Sequence, residues 1–191
     1  MMLKLSDDNL KNIDSVKNFF LTKKNKIKEQ FYYNHNGIKC CKLNSDLTDE
    51  LIKKIFELTN PVKLANQDFL ICAVGGYGRK HLAPYSDIDL LFVYNQKIPE
   101  KELKRTIEQI LYPLWDLGMK VGHAVRTFKE VISLSKKEQI IKTSILDARL
   151  ILGCNQVFKN IIAQYTQEFS KKARIFLKEK VEERKKNIQK I

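Results

Sequence analysis

The chain has 191 residues, 43% of them apolar and 30% charged, with a formal net charge of +13. That length suits one ordinary domain with a sizeable core, no run reaches the ~18 apolar residues of a membrane span, and the opening residues lack the apolar centre of a signal peptide. The positive charge does not call for a nucleic-acid partner, because the lysines are spread among glutamates and the runs at Lys23–Lys28 and Arg184–Lys186 fall on helical patterns, where they read as solvated faces.

Residues 7 to 31 carry Leu10, Ile13, Phe20 and Ile27 at the spacing of an amphipathic helix, closed by the turn Asn34-His35-Asn36-Gly37. A second helix is expected from about 47 to 59, with Leu47, Leu51, Ile55 and Leu58 on one stripe and Pro61 as its stop. Phe69 to Val74 is a short apolar run that reads as a buried strand. Gly75, Gly76 and Gly78 break it, and glycines there let the backbone turn sharply and bring successive N–H groups close to phosphate oxygens.

After a loop containing Pro84, a second strand runs from Asp87 to Tyr94. Alternate strand residues share a face, so Asp87 and Asp89 project together while Ile88, Leu90 and Phe92 enter a core. Two carboxylates side by side repel each other, and oxygen ligands of this kind suit Mg2+ bridging to substrate phosphates. Arg79 has the geometry to pair with phosphate or to brace the loop against a carboxylate. Ser86 can bond phosphate or simply start the strand.

Pro99 suits a helix start, and apolar residues from Leu103 to Leu117 continue at helical spacing to Gly118, with a kink or break expected at Pro113. Met119 to Thr127 reads as a strand with Val121, His123 and Val125 on one face and Gly122, Ala124 and Arg126 on the other. Thr127 to Glu130 and Ser135 to Glu138 have capping-box spacing. A helix is expected from about 136 to 152, ending at Gly153. Beyond Asn155 the chain reads as helix, with Phe158, Ile162, Tyr165, Phe169, Ala173, Phe176 and Val181 as its stripe. Cys40, Cys41, Cys72 and Cys154 show no metal-site spacing and are read as reduced thiols of a cytoplasmic protein.

The string Gly75-Gly76-Tyr77-Gly78-Arg79, then Leu82, Pro84 and Ser86-Asp87-Ile88-Asp89-Leu90-Leu91, resembles the polymerase-beta-like nucleotidyltransferases. More narrowly it is similar to the N-terminal catalytic domain of the bacterial PII uridylyltransferases. Leu114-Trp115-Asp116-Leu117, Val121-Gly122-His123-Ala124-Val125-Arg126-Thr127 and Asp147-Ala148-Arg149-Leu150 resemble that family in the same order. His81 departs from the family pattern, where an acidic residue is expected.

The resemblance implies an α/β fold: a small mixed twisted sheet flanked by helices at both ends. It implies an N-terminal helical cover at 1–64, a nucleotidyltransferase core at 65–153 and a truncated helical extension at 154–191. It further implies an enzyme that moves UMP from UTP to a tyrosine of the PII signalling protein with release of pyrophosphate, in nitrogen regulation. Asp87 and Asp89 would be the catalytic pair and would hold Mg2+, while Gly75, Gly76, Arg79 and Ser86 would bind the nucleotide. His123 and Arg126 match the family string and would lie near the active edge of the sheet. Family members also carry an HD hydrolase and ACT domains, neither of which is expected here, so the chain reads as a fragment or truncated catalytic region. An adenylyltransferase-like enzyme, a nucleotidyltransferase of the kind found beside CBS domains, and a catalytically silent interaction module remain open alternatives. No third metal carboxylate is assigned: Glu130 is explained by capping and Asp147 by a helix surface.

Overall fold

The computed structural model describes residues 10–59, 68–133 and 145–171, together with 174, 177, 178, 181, 182, 184 and 185. Pro61, the Ser135–Glu138 capping pattern, the start of the helix expected at 136, Ala173 and Phe176 lie outside the described residues. Two long antiparallel-connected helices come first: α1 (Ile13–Asn34) and α2 (Gly37–Thr59). Asn12 caps α1 by accepting the Ser15 N–H at 2.8 Å, and His35 in the left-handed region ends it. α2 begins ten residues earlier than its apolar stripe suggests. Asn36 accepts the Lys39 N–H at its start, and polar residues ahead of the stripe have partners: Ser45 Oγ donates to the Cys41 carbonyl at 2.9 Å and Asn44 contacts Cys40 Sγ.

A four-stranded mixed sheet follows, in the order β3-β2-β1-β4. Strand β1 (Phe69–Ala73) pairs antiparallel with β2 (Ile88–Tyr94), and β2 pairs in parallel with β3 (Val121–Thr127). Between β1 and β2 the glycines form a single helical turn, α3 (Gly75–Gly78), rather than an open loop. The parallel crossover from β2 to β3 is made by α4 (Glu100–Asp116), in which Pro113 is buried in the last turn without ending the helix. Only one turn follows Pro113, so a single missing N–H near the helix end disrupts little.

Thr127 then caps α5 (Phe128–Ser133) as its sequence spacing predicts: the Thr127 N–H donates to Glu130 Oε2 at 2.7 Å and the Glu130 N–H to Thr127 Oγ1 at 3.1 Å. The helix expected up to residue 152 is corrected in its last part. Arg149–Leu152 is a strand, β4, antiparallel to β1 with a register irregularity at Ile71/Cys72. A short apolar run has no period of its own to separate helix from strand, and the open edge of β1 decides the matter. Helix α6 (Asn155–Ser170) follows, burying Ile161 and Tyr165. Val181, placed on the expected apolar stripe further on, is exposed.

The sheet separates two apolar layers. Phe69, Ile71, Leu90 and Phe92 face α1, α2 and α4, with Phe69 stacked between Phe56 and Phe92 at centroid distances of 6.0 and 6.1 Å. Leu70, Cys72, Leu91 and Val93 face α5 and α6. Each fully buried aromatic or aliphatic side chain in these layers contributes about 1.5–3 kcal/mol by removal from water. Among the described residues no helix is long and apolar enough to cross a membrane.

Candidate active site

Asp87 stands one residue before β2 and Asp89 is its second residue, and both are exposed while Ile88 and Leu90 are buried. The shared-face geometry expected from the alternation is therefore present. The β1–β2 ladder extends one step further, from the Val74 N–H to the Asp89 carbonyl at 3.0 Å, which brings the glycine turn alongside this carboxylate. Gly75 sits at φ +60, a conformation that other residues adopt only with strain. A β-carbon on it would lie 3.2 Å from Asp89 Oδ2. On the other flank, Gly122 is the register partner of Asp89, and a β-carbon there would lie 2.8 Å from Asp89 Oδ1. Two glycines from different elements thus clear the space around one carboxylate.

Although Asp89 is exposed as a residue, partial desolvation of its carboxyl first, and the neighbouring Asp87 charge second, hold that carboxyl above its ordinary value. A cation beside the pair would relieve both effects, and two carboxylates form a hard oxygen donor set of the kind Mg2+ takes together with substrate phosphates. Among the described residues no group of three His, Cys, Asp or Glu side chains is gathered for a metal. The two acids weighed as a third ligand have other partners: Glu130 caps α5, and Asp147 pairs with Arg79. Asp147 lies in a turn before β4, not on a helix surface.

Gly76 has ordinary φ, with the His81 carbonyl 3.8 Å from where its β-carbon would be. Gly78 is packed so closely that a β-carbon would overlap the Asp147 carbonyl oxygen. Arg79 braces the turn through Asp147 and is half exposed. Lys80, at φ +61, pairs with Asp46 of α2 at 2.6 Å. Ser86 Oγ donates to the Ala83 carbonyl at 2.9 Å, closing the loop ahead of Asp87. His123 projects from the other face of β3 from Gly122, edge-on to Phe92 at 6.3 Å and near Trp115 at 6.5 Å, so it is not gathered with the aspartates. Arg126 shares the face of Gly122 but lies four residues along, opposite Val93.

Sequence reasoning did not single out a buried cluster behind the turn. Tyr77 of α3 donates to Asp49 of α2 at 2.6 Å, and Arg149 of β4 meets the same carboxylate. Removing one partner of a buried ion pair costs about 3–5 kcal/mol. The α2 pattern carried no clear signal for it: Asp49 lies on the face of Ser45, Ile52 and Phe56, away from the Leu47–Leu51–Ile55–Leu58 stripe.

The family model of the nucleotidyltransferase domain matches residues 50–151, from within α2 to within β4. The chain is 40% identical over 152 residues to the bifunctional uridylyltransferase/uridylyl-removing enzyme of Phenylobacterium zucineum and 40% identical over 153 residues to that of Caulobacter vibrioides, covering 75% of this chain and 16% of each relative. The enzyme of the same description from Azospirillum brasilense is 36% identical over 148 residues, covering 74% of this chain and 16% of the relative. The chain therefore spans about one sixth of the length of the curated relatives it matches. With a domain match across more than half its length, a mixed sheet and paired aspartates beside a glycine turn, the chain belongs to the nucleotidyltransferase domain family.

Proposed function

We propose that this chain transfers UMP from UTP to a tyrosine hydroxyl of the PII signalling protein and releases pyrophosphate, a step in nitrogen regulation. The observation that carries the reading is the Asp89 carboxylate flanked by Gly75 and Gly122, with Asp87 on the same face. Transfer of a nucleotidyl group builds charge on the leaving oxygens, so a site for it needs positive charge and fixed donors more than covalent chemistry. Asp87 and Asp89 would hold Mg2+, which supplies Lewis-acid stabilisation of the phosphate oxygens and a lowered pKa for the attacking hydroxyl. Gly75 and Gly76 present backbone N–H groups of a first helical turn, which have no intrahelical acceptor, to the β and γ phosphates. Arg79 flanks that turn, and its exposed half is free to meet a phosphate oxygen while Asp147 holds its position. Ser86, an exposed residue, keeps the loop before Asp87 closed and can still accept a hydrogen bond.

UTP as donor rests on the uridylyltransferase description of the relatives, and PII on the sequence resemblance. A reducing, cytoplasmic setting belongs to the same reading and is supported by four free cysteines, two of them buried. The test incubates the protein with Mg2+, labelled UTP or ATP, and PII. Metal-dependent labelling of PII by UTP is the expected result. Preferential labelling from ATP would replace the donor, and no labelling of PII by either nucleotide would overturn the assignment.

A further inference from the structure

Asp49, Tyr77 and Arg149 come from three elements and meet on the buried side of the glycine turn. The Tyr77 side chain, flanked in sequence by Gly76 and Gly78, is 1% exposed, and its hydroxyl donates to Asp49 Oδ1 at 2.6 Å. Arg149 joins both residues and the turn itself. Its Nη2 donates to Asp49 Oδ1 at 3.0 Å and to the Tyr77 carbonyl at 3.3 Å, and its Nε donates to the Gly78 carbonyl at 3.3 Å. The guanidinium carbon lies 5.4 Å from the Tyr77 ring centroid. Burial and the nearby Asp49 push the Tyr77 hydroxyl well above its ordinary value.

Apolar packing of similar volume stabilises a core as well as such a cluster does. What a guanidinium adds is direction, because its planar donors fix the acceptors they reach. Here two of those acceptors are successive carbonyls of the turn, at its C-terminal end. In a helical turn the carbonyls and the N–H groups point to opposite ends. Holding the carbonyls of Tyr77 and Gly78 therefore also orients the N–H groups at the other end, where Gly75 lies against Asp89.

We propose that Asp49, Tyr77 and Arg149 are positioning residues for the triphosphate: they clamp the glycine turn from behind and keep Gly75 and Gly76 in register with Asp89. The inference rests on the nucleotidyltransferase reading given above. None of the three touches the substrate in this role, and their loss acts on nucleotide binding through the turn.

The test uses the full chain with Tyr77→Phe, which keeps the ring and removes only the hydroxyl, and with Arg149→Lys and Arg149→Met. Amide hydrogen exchange without ligand is the first readout. The hydrogen-bonded amides 78–81 should exchange roughly tenfold faster in Tyr77→Phe and Arg149→Lys, with the β2–β3 amides unchanged. Steady-state transfer is the second. The KM for nucleotide should rise roughly tenfold while kcat falls less than about threefold, Arg149→Lys being milder than Arg149→Met. Wild-type exchange at the turn, or a wild-type KM in a folded variant, would overturn the clamp. Absence of metal-dependent transfer by the wild-type chain would instead overturn the nucleotidyltransferase reading, and amide exchange judges the clamp without it.

Discussion

Replacing Gly122 with alanine places a methyl carbon 2.8 Å from Asp89 Oδ1, where ordinary contact begins at 3.4 Å. Strand β3 cannot retreat, because it is bonded to β2 along seven register pairs from Ile88–Val121 to Tyr94–Thr127. The Asp89 carboxylate must give way by about 0.6 Å. The fold loses little, since Gly122 has ordinary φ and the Asp89 side chain is exposed, and the change in stability should stay within ~1 kcal/mol. Function is more sensitive: a misplacement of about 1 Å costs on the order of 100-fold in rate. Scaled to this displacement the loss is roughly 10- to 20-fold, or about 1.4–1.8 kcal/mol of transition-state stabilisation. The assay is the initial rate of labelled UMP transfer at saturating Mg2+, with thermal unfolding measured in parallel. Gly37→Ala serves as control, because a β-carbon there meets nothing within 4 Å. A folded Gly122→Ala protein with the wild-type rate would refute the argument that the position of this carboxylate limits the reaction.

Asp87→Asn or Asp89→Asn should abolish transfer while leaving the unliganded protein no less stable, as rates and melting curves of the purified variants will show. The sign follows from the raised Asp89 pKa: the folded state holds this proton more tightly than the unfolded chain, so ionisation costs stability as pH rises. The advantage of Asp89→Asn should therefore grow from pH 3.8 upward and level off above the raised value. Gly76→Val should obstruct the phosphates; calorimetry with Mg2+ and UTP on a variant whose melting curve shows it folded should give at least tenfold weaker binding, about 1.4 kcal/mol. Arg79→Ala and Asp147→Ala should each shift stability by no more than ~1 kcal/mol, as for an exposed pair. Arg79→Ala should weaken nucleotide binding more than Asp147→Ala does, and equal effects would assign Arg79 to bracing alone.

The parts of this protein that repeat a local rule were legible in its sequence. Alternation across Asp87, Ile88, Asp89 and Leu90 gave the strand and the shared face, and the spacing of Thr127 and Glu130 gave the cap of α5. The mixed sheet flanked by helices was implied by family resemblance, not by periodicity. What escaped was decided by contacts distant in sequence. The first turns of α2 look polar because Asp46 and Asp49 are there to meet Lys80, Tyr77 and Arg149. Arg149–Leu152 became a strand because β1 has a second edge to fill. The parallel pairing that puts Gly122 opposite Asp89, and so explains the absence of a side chain there, has no signature in either segment alone.

The order of the strands also sets an order of assembly. β1 and β2 are near neighbours in sequence and β3 follows through one helix, whereas the pairing of Ile71 with Leu152 closes a loop of about eighty residues. The pairing with the largest loop to close is thus the one that delivers Arg149 to the turn and the Asp147 carbonyl to the back of Gly78. During synthesis the aspartates can be in place on a formed hairpin while the glycine turn still lacks its support. The expected order is β3-β2-β1 first and β4 last, so that the glycine turn gains its support with the final strand.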